Sequence, residues 1–114
     1  VERLILQPNN REDDLRIWLQ EHGFQIVAES ILEEASKFYE ILVVEAGQMK
    51  LSARDVRFGP FLSKEVSPVF VQKWQKEAAK LEFALDQIPE KNREERQVLA
   101  HKIQAIKEVL HVSK

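Results

Sequence analysis

Three consecutive residues near the amino terminus are the first place to look for chemistry. Gln7-Pro8-Asn9 follows the apolar run Leu4-Ile5-Leu6. Proline cannot donate to a β-ladder, so Pro8 ends a strand and leaves two amides at its carboxyl end. In open α/β sheets, ligands bind just beyond the carboxyl ends of strands. A side-chain amide both donates and accepts, so Gln7 and Asn9 carry the groups needed to read an adenine edge. A plainer reading stands beside this one: Pro8 and Asn9 set the strand-to-helix turn and cap the helix. The second candidate is a basic stripe. Lys73, Lys76 and Lys80 step by three and four, which aligns them on one helix face. Arg93 and Arg96 open the next predicted helix, and Lys91 lies at the tip between the two. Such point charges suit phosphate contacts. Glu77, Glu82, Asp86, Glu94 and Glu95 are interleaved with them, however, and a solvated helix face explains the same pattern.

Other arrangements of reactive side chains are incomplete. His22 falls at a predicted helix end, where a protonated imidazole suits the dipole. His101 and His111 are ten residues apart on one helix, too far to share a metal, and no metal site is expected. Asp13-Asp14 and Glu33-Glu34 are adjacent in sequence, so their carboxylates point apart. The absence of cysteine excludes a disulfide framework, a thiolate metal site and a cysteine nucleophile together. The three glycines, Gly23, Gly47 and Gly59, cannot build a phosphate-cradling loop. A nucleotide or cofactor site of the strand–loop–helix kind therefore does not lie in these residues.

The elements that must position the candidates read as follows. Leu4 to Gln7 is a strand, read as buried from its unbroken apolar run. A helix runs from about Glu12 to His22. Asn10 with Asp13, or Asn9 with Glu12, has capping-box spacing, and Gly23 is the terminator. Phe24 to Leu32 alternates poorly, as a strand covered on both faces would. Lys37 to Ala46 is rich in β-formers, and the short polar link Glu33-Glu34-Ala35-Ser36 makes the two an antiparallel hairpin. Met49 to Val66 lacks clear periodicity. It reads either as a connector packed on the core by Phe58, Phe61 and Leu62 or as a substrate-side loop. Ser67-Pro68 starts a helix. Phe70, Trp74, Ala78, Leu81, Leu85 and Ile88 then follow at heptad steps, up to Pro89. After a capping box at Asn92 and Glu95, Leu99, Ile103, Ile106 and Leu110 repeat the pattern. The short link predicts an antiparallel two-helix coiled-coil hairpin.

At 114 residues with 44% apolar and 32% charged content, the chain suits one domain, or a small domain with an appendage. The division falls into residues 1–66 and 67–114. Charge divides similarly: residues 1–67 carry 8 basic and 12 acidic residues, and residues 68–114 carry 9 and 7. The whole-chain net charge of −2 argues against a strongly basic nucleic-acid binder, while the basic helical part suggests a partner for the helices. No apolar run approaches the ~18 residues that span a bilayer, so no membrane association is expected. The lack of cysteine and of a signal pattern fits a reducing, cytoplasmic compartment. A chain that opens inside a strand reads as the back half of something larger. The element order fits the second half of a Rossmann-like α/β sheet of three strands, mixed in direction, followed by the helical hairpin.

Leu4-Ile5-Leu6-Gln7-Pro8-Asn9, Leu15-Arg16-x-Trp18-Leu19, Gly23-Phe24-x-Ile26 and Lys37-Phe38-Tyr39-Glu40-Ile41 resemble the C-terminal portion of the TrmK family. Phe58-Gly59-Pro60 and the hairpin from Phe70 to Leu110 resemble that family's C-terminal coiled coil. The family consists of bacterial tRNA methyltransferases acting on N1 of an adenine in the D-arm, adenine 22. The resemblance implies that this chain supplies strands five, six and seven, with strand seven antiparallel between the other two. It implies S-adenosyl-L-methionine as methyl donor, bound by a half that precedes Val1, and tRNA as partner. Gln7, Pro8 and Asn9 would then face the reaction centre, and Lys73, Lys76, Lys80, Arg93 and Arg96 would contact the tRNA backbone. Without its neighbour, Leu4-Ile5-Leu6 would be an exposed apolar edge, paired with the absent half or with a second copy. A non-enzymatic RNA- or protein-binding module, or a coiled-coil dimerisation domain, remains open beside this reading.

Overall fold

The computed structural model describes residues 3–111, in two units, one ending at Glu65 and one beginning at Val66. The first unit is a three-stranded sheet with helices. Strand β1 (Arg3–Leu6) leads through a loop to helix α1 (Glu12–Glu21), then to strands β2 (Phe24–Glu34) and β3 (Lys37–Ala46). The sheet order is β1-β3-β2, so the last strand lies between the other two. Both ladders are antiparallel. The mixed sheet expected from the sequence is therefore absent among the described residues. The strands β1 and β2 run the same way but never pair, because β3 separates them.

Register explains the buried face. Leu6 pairs with Leu42, and Leu42 pairs in turn with Glu29; Leu4, Val44 and Ile26 form the next row on the same face. Leu42 and Val44 are fully buried there with Leu19 of α1 and Ile26, flanked by Leu6, Leu15, Phe24 and Met49. Each such side chain taken out of water contributes about 1.5–3 kcal/mol. A register shift between Ile26 and Ala28 places Val27 in a bulge and inverts the phase of β2. That bulge, and not burial on both faces, causes the poor alternation: Ala28 and Ser30 are exposed. The hairpin is also tighter than the expected four-residue link. Glu34 pairs with Lys37, and only Ala35 and Ser36 turn, both at positive φ (53° and 66°). This is the mirror-image turn geometry that matches strand twist.

Two details near the amino terminus differ from the sequence reading. The strand β1 is not buried: Leu4 is 43% and Ile5 73% exposed, since β1 is a sheet edge with β3 on one side only. Neither asparagine caps α1. The N-cap is Arg11, in left-handed conformation (φ 58°, ψ 44°) and without a side-chain cap bond. Arg11 turns the chain into the helix by itself. The first-turn acids Glu12, Asp13 and Asp14 face the unpaired amides, and Asp13 accepts from the Asp14 N–H at 2.9 Å. At the other end Gly23 takes the expected positive φ (79°).

The segment read as an aperiodic connector contains two short helices, α2 (Ala53–Phe58) and α3 (Leu62–Glu65). Ser52 and Asp55 form a reciprocal capping box at the start of α2. Phe58 and Leu62 are buried, as the core-packing reading expects, and Phe61 is 42% exposed.

The second unit is a helical hairpin of α4 (Pro68–Gln87) and α5 (Arg93–His111). Ser67 caps α4 by accepting from the Phe70 N–H at 3.3 Å, with Pro68 in the first turn. Glu82 on α4 meets Lys107 on α5 at 3.7 Å, and the carbonyls at the end of α4 meet Arg96 near the start of α5. These contacts make the helices antiparallel. Phe70, Trp74 and Ala78 are buried on α4, and Ile103, Ile106 and Val109 on α5. Leu81, Leu85, Ile88 and Leu99, toward the link, are half-buried.

Candidate functional site

The loop after β1 is the candidate that the sheet positions best. Leu6 is the last ladder residue, level with Leu42 and Glu29, so Gln7 leaves the sheet next to the row of Ile41 and Ser30, with Glu40 and Ile31 one row beyond. Gln7 and Asn9 are exposed and Pro8 is half-buried. Because Arg11 is the cap, the capping role that competed for Asn9 is not filled by it. The loop presents two solvent-facing amides at a strand's carboxyl end. Arg11 beyond it is neutralised by Asp14 at 2.6 Å.

The same unit holds a feature the sequence reading missed. Arg16 of α1 is fully buried and points into the sheet between Glu29 of β2 and Glu40 of β3. Its Nη2 stands 2.6 Å from Glu40 Oε1 and 2.9 Å from Glu29 Oε2. Its Nε donates to Glu29 Oε2 at 3.0 Å and its Nη1 to the Val56 carbonyl of α2 at 3.2 Å. Both carboxylate side chains are fully buried. Glu29 Oε1 accepts from the backbone N–H groups of Phe61 (3.0 Å) and Leu62 (3.2 Å). Burial alone disfavours the guanidinium charge. Glu40 first and Glu29 second outweigh it, and the Arg16 pKa is raised above its ordinary value. The group is thus a charged knot joining α1, β2, β3 and the α2–α3 turn. It ties down α1, the helix that follows Gln7-Pro8-Asn9 in the chain.

The signal for this knot was present in part. Arg16 falls three residues before Leu19, on the buried stripe of α1. Glu40 is in phase with Leu42 and Val44. Glu29 could not be found that way, because the bulge at Val27 shifts its phase.

The basic stripe separates into distinct environments. Lys76 and Lys80 are exposed on α4. Lys73 is half-buried, its Nζ over the Trp74 ring at 4.9 Å. Arg93 is exposed. Arg96 is half-buried, and its Nη1 donates to the carbonyls of Leu85 (3.0 Å) and Ile88 (2.8 Å). Part of its guanidinium is therefore spent on closing the end of α4, which spacing alone did not reveal. The amide loop and the basic stripe belong to different units.

His22 stacks on Trp18 (centroids 4.1 Å apart, 14° between planes), with its Nδ1 2.8 Å from the Trp18 carbonyl. His101 and His111 are exposed on α5. Among the described residues no group of three or more histidine, aspartate or glutamate side chains could hold a metal, and no helix is long and apolar enough to cross a membrane. Gly23, Gly47 and Gly59 lie after α1, after β3 and after α2.

A three-stranded sheet with its last strand in the centre and helices joined to it is part of a Rossmann-like α/β fold. The model of the TrmK family, tRNA (adenine(22)-N(1))-methyltransferase, matches residues 1–108, and the chain belongs to that family. The tRNA (adenine(22)-N(1))-methyltransferase of Bacillus subtilis is 39% identical over 96% of this chain and 50% of its own length. A Streptococcus pneumoniae protein, crystallised as a candidate tRNA (m1A22) methyltransferase, matches with TM-score 0.96 and 93% identity over 97% of this chain and 50% of its own. Its complex with S-adenosyl-L-methionine matches with TM-score 0.88 and 87% identity over 97% and 48%. A Streptococcus agalactiae protein of the NADB-Rossmann superfamily matches with TM-score 0.90 and 58% identity over 96% and 48%. The chain spans about half the length of the relatives it matches.

Proposed function

We propose that this chain is the substrate-side half of an S-adenosyl-L-methionine-dependent tRNA (adenine(22)-N1)-methyltransferase acting in the cytoplasm. The observation that carries the reading is the free edge of β1, with Ile5 73% exposed, in a family whose members are twice as long. A neighbouring strand from the other half, running parallel to β1, covers that edge and makes the complete sheet mixed. The methyl donor supplies an electrophilic methyl group, and it is held by that other half, since the residues present here do not fit it. The heptad steps from Phe70 to Ile88 and from Leu99 to Leu110 support a coiled-coil geometry for the hairpin.

What this chain contributes is recognition. Asn9, with Gln7 beside it, holds the target adenine by accepting from its exocyclic amine and donating to a ring nitrogen, while Pro8 keeps the loop off the sheet. Lys73, Lys76, Lys80, Arg93 and the uncommitted part of Arg96 neutralise tRNA phosphates.

Two results test the reading. The assay enzyme is this chain joined to the half of the Streptococcus pneumoniae relative that it does not cover. In it, Asn9→Ala should lower kcat/KM for tRNA roughly tenfold or more, the worth of a bidentate amide–adenine contact. Unchanged turnover removes Asn9 from the site. In a tRNA-binding titration of this chain, replacing Lys73, Lys76 and Lys80 together by Ala should weaken binding to all tRNAs and flatten the salt dependence. A salt slope equal to that of the unmodified chain removes the stripe from the interface.

A further inference from the structure

The outer face of α4 carries more than lysines. Phe83 is 69% exposed, one of the two most exposed large apolar side chains described. At about 100° per residue, Lys73, Lys76, Lys80, Phe83 and Gln87 fall within about 80° of the helix circumference. The acids of α4 are Glu77, Glu82 and Asp86. By the same arithmetic none lies closer than about 80° to the centre of that arc. Glu77, four residues after Lys73 and three before Lys80, borders the arc on one side, while Glu82 and Asp86 lie farther round the helix. The arc is also turned well away from the buried Phe70, Trp74 and Ala78. One face of α4 therefore presents a row of lysines, bordered by Glu77, with an aromatic ring toward its far end. The cations select a polyanion, and the ring selects a polyanion with an accessible flat, apolar surface. An unpaired nucleobase on a phosphate backbone meets both conditions.

We propose that Phe83 is a stacking platform for an unpaired base of the bound RNA, with Lys76 and Lys80 holding the adjoining phosphates. This rests on the tRNA-binding role proposed above and deepens it: the face reads RNA for an unstacked base, where lysines alone would accept any duplex. Phe83 lies about 4.5 Å along the helix axis from Lys80, so one strand can engage both.

The test is a binding titration of this chain over a range of salt, with a tRNA and with a fully paired RNA duplex. Phe83→Ala should weaken tRNA binding roughly tenfold and leave the salt slope unchanged, because a base–aromatic stack releases no counterion. Phe83→Trp should restore it. The duplex should not distinguish the three proteins. The Lys76→Gln and Lys80→Gln double variant should weaken both RNAs and flatten the slope by nearly two counterions. If Phe83→Ala binds tRNA as the unmodified chain does while the lysine variant does not, the stacking role is overturned and the RNA face stands. Equal weakening of tRNA and duplex by Phe83→Ala also overturns it. If the unmodified chain binds neither RNA, both fall. Loss of self-association in Phe83→Ala with RNA binding intact assigns the ring to a protein contact and overturns the proposal.

Discussion

Arg16→Ala should destabilise the chain by about 3–5 kcal/mol, read as a lowered urea midpoint at unchanged slope. Arg16 is the cation shared by two fully buried carboxylates, at 2.6 Å from Glu40 and 2.9 Å from Glu29. Its removal leaves two negative charges out of water with nothing between them. A domain of this size has only about 5–15 kcal/mol in total, so the variant should be partly unfolded at moderate temperature. The comparison that isolates the cause is a triple variant, Arg16→Met with Glu40→Leu and Glu29→Gln. It removes all three charges but keeps an amide oxygen for the Phe61 and Leu62 N–H groups. It should be more stable than Arg16→Ala, because removing a whole buried charge set costs far less than orphaning half of it. A triple variant as unstable as the single one would show that packing, and not charge, governs the site.

Gly59→Ala should cost about 2–5 kcal/mol, from two sources that act together. Gly59 has φ 99° and ψ 132°, a conformation that side-chain-bearing residues adopt only under strain of about 1–3 kcal/mol. A Cβ there would also stand 2.6 Å from Glu29 Oε1 and 2.8 Å from Arg16 Nη2. Those atoms cannot step aside, because Arg16 Nη2 is held by Glu29 Oε2 and Glu40 Oε1, and Glu29 Oε1 by the N–H groups of the α2–α3 turn. Overpacking of this kind adds about 1–3 kcal/mol. Since Gly59 and Arg16 share the same knot, their effects should not add. Gly59→Ala in the Arg16→Ala background should cost measurably less than alone. Full additivity in chemical denaturation would contradict the close approach.

These two sites lay largely outside what the residues disclosed on their own. The helices α1, α4 and α5 and the strands β2 and β3 follow from periodicity and punctuation: Gly23 past α1, Ser67-Pro68 before α4, Pro89 after it. The helix α2 escaped because six residues carry no period, although Ser52 and Asp55 had the spacing of its capping box. The caps expected at Asn9 and Asn10 were displaced by a left-handed arginine, a conformation that residue type does not announce. Glu29 was hidden by a one-residue bulge, since alternation is readable only while the register holds. The amide loop was legible because Pro8 follows an apolar run. Arg96 looked like a free cation because its neighbours in space, Leu85 and Ile88, offer only backbone carbonyls.

The central proposal is that this chain is the tRNA-reading half of a methyl-transferring enzyme. The direct measurement joins it to the uncovered half of the Streptococcus pneumoniae relative, supplies S-adenosyl-L-methionine and unmodified tRNA, and maps the product by reverse transcription. N1 methylation blocks base pairing, so a new stop should arise at adenine 22 and appear only with the methyl donor. A folded, donor-binding joined protein that leaves that adenine unmodified, or that modifies another position instead, would contradict it.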